Sequence, residues 1–372
     1  MQGFRAIFED VPDPRDINAQ HDLTEMLFIA MAASLCGADS CVGYTEFGRG
    51  KQPLLRQFLE LKHGIPSHDT FTRVFRHLDP GALEAALARF VSVLGEALGQ
   101  GALGQTVAGK VVAIDGKRLR GAYEKGRAHM SPIVVSAYLN ETRMVLAQTL
   151  APQCGEVKGF LQLLDLISLK DAIVTGDALH CTRQTVAALR AKGAHYVLGL
   201  KGNRSTLARD AAALFERDGP RAPWAETSQT RHGRTEHRIA SVLPAPGLAE
   251  RHAFEGLVAI GRIEAWRKQG DKAETYRART FVLSCPLTPD QLLSTVGQHW
   301  SIENNLHWPL DVVFREDHCR TRKDHGPANL AVLRKLALNL LKTNPAKKSI
   351  NMKRQRAGWD DTFLLELMTH VR

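Results

Sequence analysis

No stretch of this 372-residue chain stays apolar long enough to cross a bilayer: the longest uncharged apolar run, Met26 to Ala38, is well short of the roughly 20 residues a spanning helix needs. No membrane-spanning segment is therefore expected. The six cysteines, Cys36, Cys41, Cys154, Cys181, Cys285 and Cys319, stand singly with no CxxC pair, which argues against a zinc ribbon or a dense disulfide framework and for reduced thiols. Glu9, Asp10 and Asp13 precede any apolar segment, the wrong charge order for a secretory or organellar leader, so the chain is expected inside the cell. It contains no internal repeat.

What is present is an ordinary globular composition, 44% apolar, with 49 Lys+Arg against 39 Asp+Glu for a formal charge of +10. That balance favours a polyanionic partner, since each cation set on a phosphate releases condensed counterions, but it equally describes a protein kept soluble by a basic surface. From about residue 20 to 98 the apolar residues recur with helical period, in DLTEMLFIAMAASL and DPGALEAALARFVSVLGEAL. Within this block GIPSHDTFTRVFRHL reads as a turn and a helix capped by Ser67. Phe71, Val74, Phe75 and Leu78 would be buried and His68, Thr72, Arg73 and Arg76 turned outward. Such a helix suits a DNA groove, and also describes any solvated amphipathic helix.

Glycines at 95, 99, 101, 104 and 109 mark a boundary near 98–108, after which short β-branched runs alternate with helical inserts, the texture of a mixed α/β sheet. Residues 222–286 return to strands, with RKQGDKAET as a hairpin tip. Thr288, Pro289 and Gln291 then open a long helix, which Pro309 is expected to end or kink by biasing Trp308 away from helical geometry. The divisions expected are a helical domain at 1–98, a core in two parts at 108–221 and 287–341, a β-rich insertion at 222–286, and a basic C-terminal segment with a terminal helix at 342–372. PANLAVLRKLALNLLK, near the end of the core, reads as an amphipathic helix.

Three carboxylates are candidates to carry chemistry. Asp115 ends the run VVAI and Asp177 follows IVTG; acids leaving two buried strands converge if the strands are neighbours, as hard divalent cations require. Either could instead open a turn or cap a helix. Glu303 lies well inside the capped helix, where an unpaired charge is costly, so it should have a partner: metal ions shared with the strand acids, or a simple contact with His299 or His307. The row His299, Glu303, His307 is a poor single-ion site, because residues eight apart on a straight helix are about 12 Å apart. Asp311, Glu316, Asp317 and the pair His318 and Cys319 are weaker candidates.

In order along the chain, VVAIDGK, IVTGDALHCTRQTVAALRAKGAHYVLGLKGN, RHGRTEHR, HWSIENNLHWPLDVVFRED and ANLAVLRKLALNLL resemble the DDE transposases of bacterial insertion sequences, specifically the subgroup that includes the H-repeat-associated proteins. The resemblance covers most of the chain. It implies an α/β fold, an RNase H-like mixed sheet with flanking helices, a β-rich insertion and an N-terminal helical domain. It carries the metal-binding carboxylates onto Asp115, Asp177 and Glu303, with two Mg²⁺ ions for which Mn²⁺ can substitute. It implies cleavage at transposon ends and strand transfer into target DNA, the terminal inverted repeats and target as double-stranded partners, and a homodimer on DNA in a bacterial cytoplasm, associated with the nucleoid. Lys117, Arg118, Lys201 and Arg234 are then the expected phosphate contacts, with His299 and Asn304 flanking the site and Arg73 and Arg76 on the N-terminal helix. Two positions depart from the wider pattern: His299 stands where Arg is frequent, and Pro309 where relatives usually have another residue. A decayed transposon-end-binding protein and an RNase H-like nuclease are the alternatives.

Overall fold

The computed structural model describes residues 2–97, 107, 109–123, 130–151, 155–231 and 233–369. The linker expected at 98–108 lies outside the described residues except for 107, and so does Cys154; the other five cysteines are free. The chain divides into two compact units, one of Met1–Thr106, Gly116–Ile167 and Glu303–Arg372, the other of Val107–Asp115 and Ser168–Ile302. Strand β1, Val111–Arg118, contributes residues to both.

The first unit begins with α1 (Gln2–Phe8), α2 (Leu23–Leu35), α3 (Cys41–Gly50), α4 (Gln52–Leu55), α5 (His68–His77) and α6 (Pro80–Ala97). As the sequence predicts, the Ser67 hydroxyl accepts from the Thr70 amide at the start of α5, and Phe71, Val74 and Phe75 are buried. The antiparallel pair β2 (Ile133–Leu139) and β3 (Met144–Leu150) follows, then α7 (Glu156–Leu163). The last helix of the expected core, α12 (Gly326–Thr343), is not amphipathic in its setting: it packs on α2, α5, α6 and β3 and is buried from Gly326 to Leu341. Its polar residues therefore need internal partners. Asn339 pairs with both the amide and the carbonyl of Val145, while Asn329 donates to the Phe75 and Leu78 carbonyls at the end of α5. Lys335 donates to Gln148 at 2.7 Å. Helices α13 (Ile350–Trp359) and α14 (Asp361–Leu367) close the unit.

The second unit holds the Val111–Asp115 part of β1, then β4 (Ile173–Gly176), α8 (Arg183–Ala191), β5 (His195–Leu200), α9 (Ser205–Asp218), β6 (Trp224–Arg231), β7 (Arg234–Pro244), α10 (Leu248–His252), β8 (Ala259–Gln269), β9 (Thr275–Leu283) and α11 (Pro289–Ile302). Its strands hydrogen-bond in the order β1-β4-β5-β9-β8-β7-β6, parallel as far as β5 and antiparallel beyond it. The hairpin tip expected between β8 and β9 is present. Strand β6 is not expected from sequence, because Ala225 is its one buried residue among those described and no alternating apolar signal marks it. Helix α11 covers one face of this sheet, with Leu292 and Val296 against Val197, Ala240, Ile263, Phe281 and Leu283. Its start has the expected reciprocal cap: Gln291 Oε1 accepts from the Thr288 amide and Thr288 Oγ1 from the Gln291 amide.

The helix does not stop where Pro309 suggests. Residues Glu303–His307 and Pro309–Val313 continue it as π-helical turns, and Trp308 is helical at φ −58° and ψ −47°. A proline ring clashes with the carbonyl four residues back in a regular α-helix. The turn that precedes the proline, Glu303–His307, is π-helical and not α-helical, and after it the Phe314 amide donates to Pro309 O at 3.0 Å, five residues back.

Candidate active site

The two strand acids are neighbours. Parallel pairing sets Ala113 opposite Thr175, so Asp115 and Asp177, each two residues further on, are in register and on the same face; Asp177 follows the end of β4 as expected, whereas Asp115 does not end its strand, because β1 runs on to Arg118. The Asp177 carboxylate also accepts from the Leu179 amide at 2.8 Å, so the turn-capping role and convergence with Asp115 coexist. Below it the loop is tight: a Cβ on Gly199 of β5 would come 3.2 Å from the Ala178 nitrogen, and Asn203 Nδ2 donates to the Ala178 carbonyl at 2.6 Å. Buried His180 lies beneath, its Nε2 4.0 Å from Asp177 Oδ1.

His299, on α11, sits 3.0 Å through Nδ1 from Thr175 Oγ1, the residue two before Asp177 and on its face. The last turn of α11 is thereby anchored on β4. The chain then passes from Ile302 to Glu303, one turn beyond His299 and the first residue of the π-helical segment.

In the first unit, the Glu303 carboxylate meets His307 Nδ1 at 2.9 Å and its side chain is 71% exposed. The hydrogen bond to His307 holds the Glu303 carboxyl below its ordinary value; burial opposes this, and Lys117 and Arg120 add to it. The contact with His307 expected from sequence is thus present, while His299 is occupied by Thr175. Following Glu303, the chain supplies Asp311, Glu316 and Asp317, which surround Lys117 at 2.7, 3.3 and 3.1 Å. Glu316 is 1% exposed and also faces Arg334 at 3.6 Å. Burial works to raise the Glu316 carboxyl, but Lys335, Lys117 and Arg334 hold it below its ordinary value.

The sequence assigns Lys117 to phosphate; the structure instead commits its charge to three carboxylates. Arg76 is similarly bound to Asp324, at 2.7 Å through Nε. Arg118 is exposed with NH1 donating to the Ser131 carbonyl, and Lys201, Asn304 and Arg73 are exposed. Arg234 is exposed and 3.6 Å from Glu236. Sequence reasoning misses Thr175, His180 and Asn203, although all three fall inside or beside the IVTGDALH and LKGN motifs. It also misses Glu156, whose carboxyl packs over Gly116 so closely that a Cβ there would require the Glu156 side chain to move. Among the described residues no helix is long and apolar enough to cross a membrane.

Comparison with known proteins accords with this geometry. The family described as "Transposase DDE domain" matches residues 108–340, and the one described as "DDE_Tnp_1-associated" matches residues 5–91. The chain is 26% identical to the "H repeat-associated putative transposase YhhI" of Escherichia coli (strain K12), over 96% of this chain and 95% of that protein. It is 28% identical to the "Putative transposase YncI" of Escherichia coli O157:H7, over 96% and 92%. With an "Uncharacterized protein in dhlA 3'region" of Xanthobacter autotrophicus it shares 34% identity over 77% of this chain and 95% of that one.

Proposed function

The chain belongs to the transposase DDE family, and from that premise we propose that it is a metal-dependent DNA transposase that cleaves insertion-sequence ends and joins them to target DNA, with Asp115, Asp177 and Glu303 as its carboxylate set. The observation that carries this reading is the register of β1 and β4, which sets Asp115, within β1, beside Asp177, the residue that follows β4, on one face of two parallel strands. Carboxylate oxygens are the donors that Mg²⁺ or Mn²⁺ prefer, so the residues present fit such ions. Two divalent cations held there would supply activation of the attacking oxygen and stabilisation of the leaving oxygen in phosphodiester chemistry.

The protein's own residues supply placement. The Leu179 amide fixes one Asp177 oxygen and Asn203 fixes the loop that carries it. His299 anchors the end of α11 on Thr175, and Glu303 enters one turn later. With the carboxyl held low by His307, Glu303 is ionised across the neutral range and ready to act as a ligand. The β1-β4-β5 arrangement and the β2–β3 hairpin support an RNase H-like core, with β6–β9 as its insertion. The helical segment to residue 98 serves end binding, with Arg73 on the exposed face of α5. Partners are the terminal inverted repeats and target duplex inside the bacterial cell, and joining two ends calls for a homodimer on DNA.

The test is Glu303→Gln, which keeps shape and removes charge. End cleavage should fall on the order of 10³-fold with binding to terminal-repeat duplex unchanged. Equal loss of cleavage and binding would count against the assignment, and retained cleavage would overturn it.

A further inference from the structure

The four antiparallel strands β6–β9 put an unusual set of side chains on one face. Their register forms a row of Thr227, Arg238, Ala265 and Arg277, and beside it a row of Gln229, Glu236, Arg267 and Thr275. The next row inward is Ala225, Ala240, Ile263 and Arg279. Arg234, two residues before Glu236, belongs to the same face because side chains alternate along a strand. Among the described side chains, five arginines share this face with a single glutamate. Glu236 accepts from Arg238 at 2.8 Å and Arg267 at 2.9 Å, with Arg234 3.6 Å away. One carboxylate cannot neutralise five guanidinium groups, and Arg234, Arg277 and Arg279 are exposed.

This face is continuous with the one α11 covers, since Ala240, Ile263 and Phe281 on the same side of the sheet contact Leu292 and Val296. Where the apolar contact ends, Trp300 of α11 lies between two arginines, with the Arg238 and Arg279 guanidinium carbons each 4.7 Å from its ring centre. The ring fixes both side chains while leaving the charge at the surface. Arg279 is held below its ordinary value by burial and by the charges of Arg267, Arg277 and Arg238, as expected where like charges outnumber opposite ones.

The position of this face is defined by register. Leu200 at the end of β5 pairs with Thr280, so Thr275–Arg279 of β9 project beyond the C-terminal end of β5. Strands β1 and β4 run parallel to β5 and carry Asp115 and Asp177 toward that same end of the sheet, Asp177 just past the end of β4 and Asp115 within β1. Thr175 and Val197 are opposite each other, as are Val197 and Leu283, so the strand acids and the arginines share one face and one end of the sheet.

We infer that the arginine face of β6–β9 is a binding surface for the phosphate backbone of duplex DNA, holding the stretch that flanks the bond presented to Asp115 and Asp177. This rests on the proposed DNA-processing function and extends it from one candidate contact, Arg234, to a surface built on paired strands. Arginine forks match phosphate geometry, and a surface with a net excess of four positive charges among these six residues complements a polyanion. Phosphate contacts position a duplex without reading its sequence, so the proposed surface is expected to hold duplexes of unrelated sequence.

The experiment measures affinity of the full chain for a short duplex of unrelated sequence over a series of salt concentrations. Replacing Arg234, Arg277 and Arg279 together by Gln should lower the slope of log K against log salt by about 0.9 for each phosphate no longer neutralised and weaken binding at physiological salt on the order of 100-fold. The corresponding Lys replacements should keep most of the slope, since they keep the charge. Lys268→Gln, on the opposite face and paired with Thr235, should leave the slope unchanged. If the triple variant does not fold, as judged by circular dichroism, Arg277→Gln alone should still lower the slope by about 0.9. A slope unchanged in the folded Gln variant, with the unaltered chain binding duplex, overturns the arginine face and leaves the transposase reading standing. Failure of the unaltered chain to bind any duplex overturns both.

Discussion

Two regions are rich in cations and use them in opposite ways. In the C-terminal segment, where Lys342, Lys353 and Arg354 stand with no acid between them in sequence, the charges turn inward. Lys353 donates to the Leu341 and Asn344 carbonyls, Lys342 to the Arg143 carbonyl, and Arg354 to those of Ser34, Val313 and Ala38. On β6–β9 the arginines are interrupted in sequence by Glu236, Glu264 and Glu274, yet register gathers five on one face. Three cations of the basic C-terminal run are bonded to backbone carbonyls, while Lys347 and Lys348 are exposed and Arg356 pairs with Asp360; the arginine surface is hidden in a strand pattern. Charge density along a chain says little about charge available to a partner; what the neighbouring carbonyls and strands do with it decides.

The sharpest way to break this contrast is to remove one cation of each kind. Arg354→Ala leaves the two buried carbonyls of Ser34 and Val313 and the part-buried one of Ala38 without their donor and should cost about 3–5 kcal/mol, measured by denaturant unfolding. Arg277→Gln on the exposed strand should stay within about 0.5 kcal/mol of the unaltered chain. Equal costs would erase the distinction.

A smaller effect probes the other charges buried in the first unit. Glu84, 5% exposed, accepts from the Leu150 amide at 2.9 Å, and burial pushes its carboxyl up to about 7 from 4.5. The folded state therefore holds this proton more tightly than the unfolded chain, so stability falls as pH rises from about 4.5 through about 7. Glu84→Gln should match the unaltered protein near pH 5 and gain about 1–3 kcal/mol near pH 8. A gain at the acid end instead would contradict the assignment.

Much of this was legible in the sequence because it depends on local signals. The caps at Ser67 and Thr288, the strand ending before Asp177, and the β8–β9 tip follow from residues within one turn of each other, whereas β1 runs past Asp115 to Arg118. The parts that escaped depend on long-range burial. The α12 pattern reads as amphipathic because Asn329, Arg334, Lys335 and Asn339 are polar, and nothing local tells that Gln148, Glu316 and Val145 receive them inside. Lys117 looks like a phosphate ligand until Asp311, Glu316 and Asp317, far along the chain, close on it. Pro309 marks a helix end only if the turn before it is α; here that turn, Glu303–His307, is π-helical.

The central claim is that Asp115, within β1, and Asp177, just after β4, act together on DNA. It is tested most directly by incubating the full chain with a duplex carrying the terminal inverted repeat, in Mg²⁺, Mn²⁺ or chelator, beside the Asp177→Asn chain. Nicking at the repeat end that requires the divalent ion and disappears in Asp177→Asn, with duplex binding kept, is the predicted result. Nicking that persists in chelator or survives the substitution would contradict it.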